Sequence, residues 1–430
     1  VEKLKYILQW WFEYQIPAFV ERNGFERLLQ TRLIPVLIGP RRSGKSTLFF
    51  QLISRLRENI PAQNIVYINY EDDRLLPLEG EELSKLLDVY RQFIEPAPDK
   101  PVFLFLDEIQ NVPNWEKVVR RIYETEPNVK LFVTGSNSKM LSSDIATALR
   151  GRTLTYKVLP LSFREYLLFR NIAIPDVHLL PYSDKKNELL RQFSQYLTYG
   201  GFPEVVLTAA EQEKEAILKE YLHTVFFADI VQRYHIRQVK ILARQMAALF
   251  SMGKMVNTLK SIGFKVSKNT LIEYLGYIED AFLGKSISIF SYSVKDQLQY
   301  PRKFYLLDNG MYLAVSFVKE GDQGRLLENL IFQHLYRKYD DFYYWKNTDG
   351  YEVDFVLPQF FNSGDNFSLI QACYDLSTEQ IKKREIRALE LAAKEFKVKK
   401  ALIITRDTHG TVEQNGLEIM IKPFYQWALE

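Results

Sequence analysis

The stretch LIGPRRSGKSTLFF, residues 37–50, restricts the fold more than any other part of the chain. Gly39, Gly44, Lys45 and Ser46 fit G-x-x-x-x-G-K-[ST], and the pattern lies directly after an apolar run and directly before a helical one. Such a loop works only where a strand stops and a helix starts. Its small residues let backbone N–H groups wrap an anion, and the helix N-terminus aims its dipole at the same charge. An α/β domain is therefore expected, with Gly39, Arg42, Ser43, Gly44, Lys45, Ser46 and Thr47 as candidate ligands of ATP. Lys45 would neutralise the β and γ oxygens, and the Ser46 hydroxyl would ligate Mg2+. Arg41 and Arg42 crowd positive charge around the loop, although guanidiniums on a loop tip also serve simply as solvent-facing groups.

The surroundings agree. From Ile34 to Leu161 short β-rich runs (IPVLIG, NIVYINY, PVFLFLDE, VKLFVTGS, TLTYKVLPL) alternate with helical patterns. Strands apolar on both faces predict a doubly wound parallel sheet covered by helices on each side. PVFLFLDEIQ ends a buried strand in Asp107 and Glu108. One carboxylate can hold the metal and the next can polarise an attacking water; helix capping is the structural alternative for paired acids at a strand end. The two motifs together predict ATP binding with hydrolysis.

With 430 residues, several domains are expected. The boundaries read as a helical extension over 1–31, the P-loop domain over 32–161, a helical lid or linker over 162–236, a winged helix-turn-helix over 237–310 and a smaller α/β domain over 311–430. The single cysteine, Cys373, excludes intramolecular disulfides and cysteine-rich zinc ribbons, and fits a reducing compartment such as the cytosol. Glu13 interrupts the apolar N-terminal run before signal-peptide or membrane-spanning length, and no later run is longer, so no membrane segment is expected.

Net charge is only +3, but its distribution is uneven. Residues 237–310 hold 11 Lys or Arg against 5 Asp or Glu, a surplus of +6 that leaves the remainder at −3. A basic winged helix in an otherwise acidic chain is the footprint of contact with a phosphate backbone. Lys265, Lys268 and Asn269 would lie near the N-terminus of its second helix, capped by Ser267, with Lys295, Arg302 and Lys303 on the wing. DNA is the partner expected from this pattern; a winged helix used to pack against a protein is the competing one.

The segments LIGPRRSGKSTLF, LFLDEIQNVPNWEKVVRRIYE, VTGSNSKML, LRGRTLTYKVLPLSFREYL, ENLIFQHLYRK and GYEVDFVL resemble the AAA-type P-loop ATPases of archaea and bacteria that end in a restriction-endonuclease-like domain. The resemblance spans nearly the whole chain. It implies an α/β fold in which an AAA-type P-loop domain with a helical lid is followed by a winged helix-turn-helix and a C-terminal nuclease-like α/β domain. It also implies that Thr134, Ser136 and Asn137 end the next strand where a γ-phosphate is sensed, Asn137 being the preferred sensor and an ordinary polar turn the alternative. Arg150 and Arg152 become candidate arginine fingers for a neighbouring subunit, or salt-bridge partners, and homo-oligomerisation stays open. A nuclease of that kind needs an acid on one strand and a Glu-x-Lys pair on the next. Asp354 supplies the acid and Glu328 an accessory one, but Gln371 and Cys373 stand where the pair belongs, so a degenerate cleavage site is expected. The functions left standing are an Mg2+-dependent ATPase acting on DNA, a nucleotide switch for a protein partner, and an ATP-gated metal-dependent nuclease.

Overall fold

Four runs that the sequence makes apolar along nearly their whole length become buried strands, because in a parallel sheet neither face meets water. In the computed structural model β1 (Ile34–Ile38), β2 (Ile65–Asn69), β3 (Val102–Asp107), β4 (Val129–Gly135) and the less buried β5 (Thr153–Lys157) form one sheet in the order β2-β3-β4-β1-β5. Every pairing is parallel. The structure describes residues 1–138, 147–174, 176, 185–240, 242–243, 268–293, 297, 300–314, 323–362 and 366–430, apart from the side chains of Lys268 and Leu271. Much of the expected winged helix lies outside these residues.

By its internal packing the chain divides into two units, Val1–Leu159 with Asp280–Phe282, and Pro160–Glu279 with Leu283–Glu430. In the first, α1 (Glu2–Glu13) and α2 (Lys45–Leu56) cover one face of the sheet, burying Trp11, Phe49, Leu52 and Ile53 against Tyr67, Phe105 and Phe132. The Trp11 indole also donates to the carbonyl of Ile65 at 2.8 Å, so the N-terminal helix is anchored polarly as well as by apolar burial. β4 lies between β1 and β3. That order sets the tip of β4 between the phosphate-type loop and the two acids.

The second unit begins with α3 (Phe163–Phe169), which a reciprocal capping box of Ser162 and Glu165 starts. α4 (Lys186–Tyr199) and α5 (Glu211–Thr224) follow, the latter running into a π-helical turn over Val225–Gln232. Further on come α6 (Lys268–Asp280) and an antiparallel pair, β6 (Gly284–Ile287) with β7 (Lys303–Leu306). The rest is α7 (Gln323–Lys338), α8 (Glu379–Phe396) and a six-stranded mixed sheet. Its strands, β8 (Tyr343–Lys346), β9 (Glu352–Val356), β10 (Leu369–Ala372), β11 (Lys400–Thr405), β12 (Gly410–Gln414) and β13 (Leu417–Pro423), lie in the order β12-β13-β11-β10-β9-β8. The β12–β13 hairpin is absent from the sequence reading. Its signal was present: Asn415 and Gly416 separate two alternating runs, and both take positive φ (53° and 76°), the two-residue turn that suits strand twist.

Candidate functional site

The loop after β1 has the shape its sequence demands. A Cβ on Gly39 would lie 2.1 Å from the carbonyl oxygen of Val158, so only glycine passes there, and Gly44 enters α2 from φ +95°. Lys45 is buried under the loop, donating to the carbonyls of Gly39 (3.2 Å) and Pro40 (3.1 Å) and standing 3.3 Å from Glu108 Oε1. Ser43 is fully buried and its hydroxyl has no hydrogen-bond partner among the described residues. An orphan donor inside a loop of backbone N–H groups fits a phosphate oxygen. Arg42 and Thr47 are exposed beside it.

The two acids are buried and differently held. Asp107 Oδ2 accepts from the Tyr67 hydroxyl at 2.7 Å, Oδ1 accepts from the Thr134 hydroxyl, and Ser46 also hydrogen-bonds this carboxylate. Burial, then the neighbouring charge of Glu108, push Asp107 above the usual carboxylate range. Ser46 and Asp107, the pair expected to ligate a metal, are thus already together, and a cation between them would replace the proton that burial favours. Tyr67, buried beside that acid, is pushed far up and stays a donor. Glu108 adopts left-handed backbone (φ 51°) stabilised by its own N–H donating to Thr134 Oγ1 at 2.9 Å. Burial alone would raise this carboxyl; Lys45, the Gln110 amide and Arg41 together hold it below its ordinary value. Gln110 Nε2 donates to Glu108 Oε2 at 2.6 Å and reaches Ser136 Oγ at 3.3 Å. Glu108 therefore stays a carboxylate aimed by its neighbours, as a group that orients water must be.

Thr134 Oγ1 donates to the Asp107 carboxylate and accepts the Glu108 backbone N–H, and Asn137, the preferred sensor, is buried just beyond the end of β4. Arg152 directly precedes β5, whose Thr153 pairs with Ile34 at the start of β1, so Arg150 and Arg152 occupy the amino-terminal edge of the sheet. Five strand residues, about 17 Å, separate that edge from the loop, so neither arginine reaches this chain's own site. Arg152 is engaged by Glu124 at 2.8 Å. Sequence reasoning missed Tyr67, Gln110 and Arg22. Arg22 is buried and donates to the carbonyls of Ser43 (3.1 Å) and Leu159 (3.2 Å), while Gln51 pairs reciprocally with its backbone. No motif marks it; an arginine followed by Asn-Gly reads as a turn.

Of the expected nucleic-acid contacts, Lys265 and Lys295 lie outside the described residues, as does the side chain of Lys268. Asn269 and Arg302 are exposed. Lys303 is a correction: its partly exposed side chain places the amine between Glu328, Glu352 and Asp354, which engage it instead of leaving it as a surface cation. Glu328 on α7 and Asp354 and Gln371 on strands of the C-terminal sheet do gather around one cavity of about 440 Å³. Gln371 accepts from the Asp354 N–H (3.1 Å) and donates to Glu385 (2.7 Å). Cys373 is apart, packed in the apolar core under α8, with burial pushing its thiol up to about 12.

Residues 31–167 match an AAA domain, and two domains of unknown function, DUF8612 and DUF4143, match residues 190–322 and 323–424. The uncharacterized protein MJ1544 of Methanocaldococcus jannaschii is 38% identical over 424 residues, covering 94% of this chain and 90% of that protein. An uncharacterized protein of Haemophilus influenzae is 30% identical, covering 84% of this chain and 88% of its own. The chain belongs to the family of these two proteins. Both relatives are uncharacterized, and the AAA domain is the matched region with chemical content. The ORC1 protein of Aeropyrum pernix, solved in complex with DNA, superposes with 15% identity and a TM-score of 0.33, covering 73% of this chain and 90% of that one. Among the described residues no helix is long and apolar enough to cross a membrane.

Proposed function

We propose that this family member is an Mg2+-dependent ATPase whose nucleotide cycle alters the grip of a basic arm on DNA. The observation that carries the reading is the convergence of Lys45, Ser46, Asp107, Glu108 and Thr134 at one end of one parallel sheet. Lys45 and the loop N–H groups would hold the phosphates, and Ser46 with Asp107 would hold Mg2+, which neutralises charge on the β and γ oxygens. Glu108 would take the water proton, kept ionised by Lys45 and aimed by Gln110. Arg152 and Arg150 would act only on a neighbouring copy.

DNA as the target rests on the +6 surplus of residues 237–310. The reading keeps the sequence-based division into a lid over 162–236, a winged helix over 237–310 and a nuclease-like tail over 311–430. ATP turnover measured with and without duplex DNA, over a salt series, tests it. Turnover should rise with DNA and the effect should weaken with salt; turnover indifferent to DNA, with no salt-sensitive DNA binding, favours a switch acting on a protein. Glu108→Gln should retain ATP while kcat falls about 10²-fold or more, and Lys45→Ala should lose ATP binding.

A further inference from the structure

Lys303 opens β7, and its amine lies 2.6 Å from Glu352 Oε1, 2.9 Å from Asp354 Oδ1 and 3.1 Å from Glu328 Oε1. An ammonium has three N–H donors and no acceptor, so three carboxylate oxygens satisfy it completely. The acids come from separate elements, α7 for Glu328 and β9 for Glu352 and Asp354, and each has a second tether. Tyr305 donates to Glu328 at 2.6 Å, Lys346 lies 3.2 Å from Glu352, and the Ala372 N–H donates to Asp354 at 3.0 Å. Glu385, on the wall of the same cavity, is already held by Arg384 at 2.5 Å and by Gln371. The Lys303 amine is therefore a cation shared by three anchored acids.

The spacing carries information. Oxygens at 2.6–3.1 Å from a common centre suit an ammonium, whereas Mg2+ demands about 2.0–2.1 Å and Ca2+ about 2.3–2.6 Å. Among the described residues no three Asp, Glu, His or Cys side chains converge closely enough to hold a metal ion. Here the ammonium offsets part of the carboxylates' charge and keeps them apart.

We propose that Lys303 is a tethered cation standing where a divalent ion would have to bind, so that the cavity beside Asp354 takes no divalent metal in the wild-type chain and cuts no phosphodiester. Deleting the amine leaves three anchored carboxylates around one vacated position, and those become a Ca2+ or Mn2+ site. The proposal is independent of the ATP site.

Calorimetric titration of the full chain with CaCl2, without nucleotide, tests it. Wild type should show no site that Glu328→Gln removes. Lys303→Met should gain one equivalent, at least about tenfold tighter than any wild-type binding, and Ca2+ should raise its melting temperature but not that of the wild type. Glu328→Gln added to Lys303→Met should erase the gain. A folded Lys303→Met chain with no gained site overturns the proposal. So does a wild-type Ca2+ site lost on Glu328→Gln, or nicking of supercoiled plasmid by wild type in Mn2+ that Asp354→Asn abolishes. If Lys303→Met fails to fold with or without Ca2+, the wild-type titration and plasmid assay decide the matter.

Discussion

Thr134→Val is nearly isosteric, and it removes a hydroxyl that touches the Asp107 carboxylate and the Glu108 backbone N–H. Thr134 is fully buried, donates to Asp107 Oδ1 and accepts the Glu108 N–H. A hydrogen bond to a charged group contributes about 1.5–3 kcal/mol, and a buried donor left without an acceptor costs about 1–3 kcal/mol. Asp107 keeps Tyr67 and Ser46, which softens the first loss, whereas the Glu108 N–H has no other acceptor shown in this structure. The variant should therefore lose about 3 kcal/mol from the unit that contains the P-loop, toward the low end of the combined range of about 2.5–6 kcal/mol because the first loss is softened. For a unit of this size that corresponds to a melting point lower by about 6–12 °C. Glu108 also sits in left-handed backbone, and without the bond to Thr134 that backbone is less well fixed although Lys45 and Gln110 still hold the carboxylate, so turnover should fall more than ATP affinity does. Differential scanning calorimetry and ATP turnover, with Thr134→Ser as the control that keeps the hydroxyl, provide the measurement. A Thr134→Val chain within about 0.5 kcal/mol of wild type, with unchanged turnover, would falsify the assignment of Thr134 as the bridge between the acids.

Other expectations follow from the same geometry. Asp107 is raised by burial and by Glu108, so its carboxylate form is scarcer at low pH; Mn2+ retention by the ATP-loaded chain should strengthen from pH 5.5 to pH 8, and Asp107→Asn should flatten that rise. In the second unit Asp308 accepts the N–H groups of Gly201 (2.7 Å) and Gly310 (2.8 Å), yet burial raises it to about 7. A folded pKa above the unfolded one means that its contribution is complete below about pH 4 and lost as pH rises through 7, a loss of about 2–3 kcal/mol between pH 5 and 8. The pH dependence of denaturant unfolding should differ between wild type and Asp308→Asn by that amount; identical curves reject the assignment. Gln110→Ala should lower kcat while leaving ATP affinity within about twofold, because Gln110 touches Glu108 and not the loop. Arg152→Ala should leave turnover at low protein concentration unchanged, and any loss appearing only as concentration rises would indicate action on a neighbouring copy.

Much of the P-loop unit was legible in the chain. The loop residues are consecutive, their backbone demands are local, and Asp107 with Glu108 closes an apolar run, so chemistry and position coincide in one short segment. The second unit was read less fully. Its strands through β11 were visible as apolar runs, but β12 is exposed and polar, so the hairpin rests on the alternation of β13 and the Asn415–Gly416 turn. Lys303 was read as a surface cation because it sits in a basic segment; its three anionic partners come from residues 25 to 51 positions later.

Local order, then, decided that an anion loop, a helix start and a pair of acids exist. Strand order decided who stands between them. Tyr67 meets Asp107 across 40 residues and Thr134 meets Glu108 across 26, because β2 and β4 flank β3. A period-two pattern says which face a side chain takes but not which strand lies next to it. Such partners become visible only once the sheet has assembled.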